Sequence, residues 1–303
     1  MTEANPVAVR SNRALLSAGR LAQIACVLEV TARKPGNVHR FVDRQGLHFL
    51  DLLLSALAIA EPMDQAGERG VGATVLAAVE ATRLVVTTNT NLGIILLLAP
   101  LAAVPLQVDL AQGVESVLAG TTIEDARAVY RAIRLAAPGG LGRASEEDVA
   151  AEPTVTLRQA MALSAHRDLV ARQYANGFQE VLTEALPTLR ASLRENARLE
   201  TAIVTTYLSL LARHSDSLIL RKSGPEIARA VSRKADEVLD KGWPKSESSR
   251  ALCEQFDIWL HGQSPPLNPG TTADLITATL FSALRDGTIP LPRQPGSTCW
   301  SVP

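Results

Sequence analysis

The chain has 303 residues, of which 47% are hydrophobic and only 4% aromatic, so it holds enough apolar material for one large domain or two small ones. Thirty basic residues face 31 acidic ones, for a net charge of -1. That balance excludes a protein-wide field that would gather a nucleic-acid backbone, so any phosphate recognition must be local. Cys26, Cys253 and Cys299 are far apart and sit in no CxxC or Cys/His cluster. This argues against a disulfide framework or a structural zinc, and for reduced thiols in a cytoplasmic protein.

Ala, Leu and Val dominate the apolar content, which favours packed helices over sheets. The first helix is expected to start near Ser11 or Asn12 and to carry Leu15 to Leu28. The N-terminal stretch before it has no apolar run of signal-peptide type. Leu47 to Ala60 reads as a second helix, ending near Glu61-Pro62, and Val71 to Val86 as a third. Leu92 to Val108 is the most apolar segment, but it is short for a membrane span and contains Pro100 and Pro105; a buried helix over Ile94 to Val104 is expected there.

Thr122 and Asp125 have capping-box spacing for a helix running to Ala136, stopped by Pro138-Gly139-Gly140. Thr156 to Leu163, Leu169 to Leu186 and a helix from Pro187 to about Arg213 follow. Glu226 to Leu239, Ser248 to Leu260 and Thr272 to Arg285 complete the series. No stretch alternates with period 2 for long enough to make a strand; Val85-Val86-Thr87-Thr88 reads as a helix end. The expectation is an all-α fold, a single bundle-like domain over residues 1–303 with ten or more helices. The Gly-rich loop from Pro138 to Pro153 is the best linker if there are two subdomains.

Five polar words punctuate the helices. Lys34-Pro35-Gly36-Asn37-Val38-His39-Arg40-Phe41-Val42-Asp43, with Arg33 before it, gathers cations around a Pro-Gly turn whose backbone N–H groups can form an anion nest, or is simply a basic turn at a helix C-terminus. His48 and Asp51 share one helix face, where they suit a metal or a sugar hydroxyl, while Asp51 equally suits a first-turn acid. Thr87-Thr88-Asn89-Thr90-Asn91-Leu92-Gly93 offers amides and hydroxyls at the mouth of the apolar helix, beyond what one cap requires. His214-Ser215-Asp216-Ser217 followed by Arg221-Lys222-Ser223-Gly224 either pairs a carboxylate with cations suited to a triphosphate or is an ordinary helix–loop–helix connection. Asn268-Pro269-Gly270-Thr271-Thr272-Ala273-Asp274 is either a capping box or a phosphate or ribose contact at a helix N-terminus.

In this order the words resemble the triphosphoribosyl-dephospho-CoA synthase family, from about Leu21 to Leu284. The matching pieces are Glu29 with Lys34-Pro35-Gly36, Gly46-Leu47-His48 with Asp51, Asn89-Thr90, Gly139-Gly140-Leu141-Gly142, Gly177-Phe178, Asp216 with Arg221 and Gly224, and Pro269-Gly270 with Ala273-Asp274. The chain departs from the family where Asn91-Leu92 replaces a His-Lys pair, Ser223-Gly224 a Gly-Gly pair, and Asn37-Val38-His39-Arg40 the usual Leu-Val-Asp-Arg, as in a divergent branch.

The resemblance implies an all-helical transferase that joins ATP to 3′-dephospho-CoA and releases adenine, through attack of an acceptor hydroxyl on C1′ of the ATP ribose. Such a transition state has oxocarbenium character. On that reading Asp51 and Asp216, then Asp274, do carboxylate work, with Mg²⁺ on Asp51 and Asp216. His48 is the proton donor. Lys34, Gly36, Arg40, Arg221, Lys222, Gly270 and Thr271 hold phosphates or ribose, and Asn89, Thr90 and Asn91 contact base or ribose. The partners are small molecules, with no nucleic acid or membrane, and a homodimer is allowed. Two rival readings stand beside it: a transferase with another acceptor, such as a one-carbon carrier precursor, and a non-catalytic nucleotide-binding protein. The family reading predicts that the words meet in one pocket at the loop ends of the bundle.

Overall fold

The computed structural model describes residues 16–138, 148–195 and 198–291. The expected helix start near Ser11, the Gly139–Gly142 word and Cys299 lie outside these residues. Among the described residues the fold is all-α; two isolated bridges, His39 with Val42 and Arg44 with Leu47, shape the loop before the second helix. No helix among them is long and apolar enough to cross a membrane.

The helices are α1 (Ala18–Thr31), α2 (Phe49–Ala58), α3 (Ala60–Asp64), α4 (Ala66–Arg69), α5 (Val71–Arg83), α6 (Leu92–Ala103), α7 (Leu110–Ala119), α8 (Ile123–Ala136), α9 (Leu157–Ser164) and α10 (Leu169–Asn176). A π-helical stretch, Glu180–Ala185, runs into α11 (Leu186–Arg194), and α12 (Leu199–Arg213), α13 (Ser217–Asp240), α14 (Glu247–His261) and α15 (Gly270–Arg285) follow. The capping box over α8 forms as its spacing predicts: Thr122 Oγ1 accepts from the Asp125 N–H and the Asp125 carboxylate from the Thr122 N–H. The helix expected over Leu169 to Leu186 is broken, because Gly177 and Phe178 both take positive φ, 71° and 64°. Helix α7 was not expected. Of the region from His214 to Gly224, read as a connection, Ser217 to Gly224 is the first part of α13, which bends at Gly224 (φ 83°) ahead of Pro225.

Helices α6 and α15 form the centre. Every residue from Ile94 to Ala102 is buried, as is every residue from Leu275 to Arg285. A helix apolar on all sides must be enclosed on all sides. The hydroxyls of Thr279 and Ser282 are satisfied within α15, by the carbonyls of Leu275 and Ala278. Arg285 closes the other end of α6: its guanidinium donates to the carbonyls of Leu101 and Val104 at the helix terminus and to those of Pro105 and Val108 in the turn that follows. The two central helices are thereby held with their N-termini at the end of the molecule where the polar words lie.

Candidate active site

Asp216 is the staple of that end. It caps α13, with Oδ1 accepting from the N–H groups of Leu218 and Ile219 at 2.9 and 3.1 Å. Its Oδ2 accepts from the N–H and the hydroxyl of Thr272, at 2.8 and 2.9 Å, in the first turn of α15. The next residue, Ser217, accepts from the Leu169 N–H at 2.7 Å and so brings in the start of α10. Three helix N-termini are therefore fastened together, and that of α6 lies beside them.

They surround a cavity of about 470 Å³. Asn89, Thr90, Asn91 and Gly93 line it at the mouth of α6, Arg221 and Lys222 on α13, Asn268 just before α15, and Gly270, Thr271 and Asp274 on α15. Asp168 lines it as well and was not singled out from the sequence. Its Oδ1 caps α10 through the N–H groups of Val170 and Ala171, and its Oδ2 accepts from Arg221 Nη1 at 2.6 Å. The cap was legible in Asp168-Leu169-Val170 at an expected helix start; the partner 53 residues away was not. Arg221 Nε is buried and without a protein partner, which leaves a donor of this guanidinium unused beside the cavity.

Asp274 is the least compensated group there. Its carboxylate makes no hydrogen bond or ion pair with the described residues. Burial, reinforced by the charges of Glu29, Asp216 and Asp168, pushes its pKa well above the ordinary carboxylate range, against a smaller opposing effect of Arg221. Asp216 is shifted upward too, by burial, but four donated hydrogen bonds oppose the shift.

The loop before α6 is pinned from behind. Asn91 donates to Thr82 Oγ1 at 3.2 Å, Thr90 Oγ1 lies 2.5 Å from Ser55 Oγ, and Asn89 accepts from the Leu92 N–H at 3.2 Å. Asn91 holds the N-cap position of α6 without a side-chain cap bond, and Asn89 satisfies the first N–H of the helix while still lining the cavity.

The other expected site residues lie elsewhere. Lys34 is fully buried: its ammonium donates to the Glu29 carbonyl at 2.5 Å and the Ala32 carbonyl at 3.2 Å and pairs with Glu29 Oε1 at 2.9 Å. All three of its donors are taken up, and it does not line the cavity. Gly36, at φ 78°, donates its N–H to Asp257 Oδ1 at 2.7 Å. Arg40 pairs with Glu200 at 3.3 Å and lies over the Phe41 ring. His48 is exposed beside Asp43, and Asp51 Oδ2 accepts from the His48 N–H, closing the N-terminus of α2. The expected single cleft is therefore divided. The third, fourth and fifth words meet at the cavity, the second does not reach it although the preceding Leu47 does, and the first borders a separate hollow with Arg33, His39 and Phe41. Asn37 of the first word lines neither space, but its Nδ2 donates to Oδ1 of the cavity-lining Asn268 at 2.8 Å.

Neither carboxylate expected to hold Mg²⁺ fits one. Both oxygens of the enclosed Asp216 are saturated by N–H and O–H donors, and Asp51 is a helix cap outside the cavity. No group of three or more His, Cys, Asp or Glu side chains among the described residues is arranged to hold a metal ion.

The architecture is that of an all-α protein with a polar cavity at gathered helix N-termini. Residues 16–291 match the family described as ATP:dephospho-CoA triphosphoribosyl transferase, and the chain belongs to that family. It is 29% identical over 133 residues to a protein of Pseudomonas syringae pv. tomato named as a probable 2-(5″-triphosphoribosyl)-3′-dephosphocoenzyme-A synthase, a stretch covering 41% of this chain and 45% of the relative. It is 28% identical over 106 residues to the Klebsiella pneumoniae 2-(5″-triphosphoribosyl)-3′-dephosphocoenzyme-A synthase, covering 35% of this chain and 34% of the other. The chain thus aligns with less than half the length of these relatives. A crystal structure from Archaeoglobus fulgidus, provisionally described as a triphosphoribosyl-dephospho-CoA synthase, superposes with a TM-score of 0.60 at 28% identity, covering 78% of this chain and 99% of that one.

Proposed function

We propose that this protein transfers the triphosphoribosyl group of ATP to a ribose hydroxyl of 3′-dephospho-CoA with release of adenine, and that the cavity between α6, α10, α13 and α15 is its active site. The observation that carries this reading is the meeting of Arg221, Lys222, Asn89 and Asp274 at one cavity, from words spread over the chain. Membership of the family supplies the reaction. The reading treats residues 1–303 as one domain, in keeping with a buried apolar core that runs from Leu21 to Ile289.

In the reaction the acceptor O–H adds to C1′, the C1′–N9 bond breaks, and adenine leaves with the bonding electrons and takes up a proton. Arg221 and Lys222 hold the triphosphate, helped by the partial positive charge of the N-termini of α6 and α15. Asp168 keeps the Arg221 guanidinium in place. Asp274, whose pKa burial raises well above the ordinary carboxylate range, takes the acceptor proton and lies where positive charge builds on the ribose. ATP would bring any Mg²⁺ as part of its triphosphate, where the ion offsets phosphate charge.

The test is to incubate the protein with ATP, Mg²⁺ and 3′-dephospho-CoA and to weigh the product. A mass equal to the two substrates joined less adenine supports the reading. ATP consumption with another acceptor, and none with dephospho-CoA, would replace it by the alternative acceptor. The substitution of Asn91-Leu92 for the His-Lys pair usual in the family keeps that alternative in view.

A further inference from the structure

The lining of the cavity changes character along the chain. Its charged and amide-bearing groups come from the loop at the mouth of α6, from α13, from α15 and Asn268 before it, and from Asp168, beside the apolar Leu92 and Leu96 of α6 and Leu218 of α13. Where α8 and α9 contribute, it consists of five apolar or aromatic residues, Tyr130, Ile133, Leu157, Ala160 and Met161, with Ser164 at the end of α9 as the one polar group from that helix. None of these five carries a charge at neutral pH, and Tyr130, Ile133, Leu157 and Ala160 are buried in the protein. None belongs to any of the polar words.

A nucleoside triphosphate has the same asymmetry, with a flat, weakly hydrated purine at one end and a strongly hydrated anion at the other. Apolar side chains gain from covering the faces of such a ring, while the phosphates require cations and N–H donors. Resting on the active-site reading above, we infer that the α8–α9 wall is the purine subsite and that the nucleotide lies with its triphosphate toward Arg221 and Lys222. The ribose then falls between them, beside Asp274 and the Asn89–Gly93 loop. Asn89 and Asn91 are thereby moved from the base to the sugar. The wall takes the base by its faces, and the departing adenine is released from a surface that holds it without anchoring charges.

The test compares ATP, ribose 5-triphosphate and inorganic tripolyphosphate by calorimetry on the full chain, unmodified and as Ala160→Trp, Met161→Trp and Arg221→Ala. The unmodified protein should bind ATP at least about tenfold more tightly than ribose 5-triphosphate. Either tryptophan variant, once its melting curve shows it folded, should lose that advantage while keeping its tripolyphosphate affinity within about twofold. Arg221→Ala should weaken all three ligands. Equal affinity of the unmodified protein for ATP and ribose 5-triphosphate would overturn the inference. So would a folded Ala160→Trp that binds ATP normally; if Arg221→Ala still weakened binding, the active-site reading would survive. Failure of the unmodified protein to bind any of the three would overturn both.

Discussion

The carboxylate of Asp274 rests against the α-carbon of Gly93: a β-carbon at that glycine would stand 2.0 Å from Oδ2 and 2.6 Å from Cγ. The N-termini of the two central helices thus meet at a residue without a side chain, and the acid occupies the space a side chain would need. Gly93→Ala must displace Asp274. Misplacing a reacting group by about 1 Å costs on the order of a hundredfold in rate. The expected result is a fall of about that size in the turnover number, with a melting curve close to that of the parent protein. A Gly93→Ala variant with unchanged turnover would remove Asp274 from the reacting centre.

Asp274→Asn separates function from stability. Burial raises the pKa of this carboxyl, so the folded protein keeps the proton at pH values where the unfolded chain has lost it. Its contribution to stability is therefore fully present below the unfolded carboxyl's pKa, and is lost as pH rises through the higher folded value. Asn carries no such burden. The variant should melt above the parent at neutral pH, by about 2–4 °C for a gain near 1 kcal/mol, and the gain should vanish in acid. Its turnover should fall by about 10²–10⁴-fold. In the parent, turnover should decline as the medium is acidified through a pKa above the ordinary carboxylate range.

Lys34→Met tests whether the first word is structural. Removing the ammonium leaves Glu29 buried without its partner, a change that costs about 3–5 kcal/mol. Denaturant midpoints should drop accordingly, while the ATP affinity of the protein that remains folded should stay within about twofold. A large loss of ATP affinity without destabilisation would return Lys34 to the phosphate site.

Asp216→Ala should act through assembly of the site. It removes the cap of α13 and the tie to Thr272, and leaves N–H groups unpaired in the interior, at a cost of roughly 2–4 kcal/mol. Arg221→Ala, on the half-buried face of the same helix, should change stability by less than about 1 kcal/mol and weaken ATP instead. Similar stability losses in both would show that Arg221 serves the fold.

The sequence made the helices legible wherever a cap and a period agreed, as at Thr122–Asp125 and along Ile94 to Val104. It concealed α7, whose period is interrupted by Gly113 and preceded by Pro105, and it concealed the break at Gly177-Phe178, because a left-handed pair at that point is a tertiary matter. In the site, the loops at helix N-termini were visible because polar residues stand out between apolar runs. What each side chain does there was less visible. Lys34 and Arg40 are cations in a glycine turn whichever acid they pair with, and Glu29 and Glu200 become their partners only on folding. Asp216 looked like a catalytic carboxylate because nothing local announces Thr272. Asp168 was overlooked because capping explained it fully until Arg221 arrived from α13.

The most direct measurement is adenine release from ATP, followed by chromatography, with and without 3′-dephospho-CoA, on the parent protein and on Asp274→Asn. The account predicts adenine from the parent only when dephospho-CoA is present, in step with the joined product, and almost none from the variant. Adenine release at the parental rate by Asp274→Asn, or none from a parent protein that binds ATP and dephospho-CoA, would contradict it.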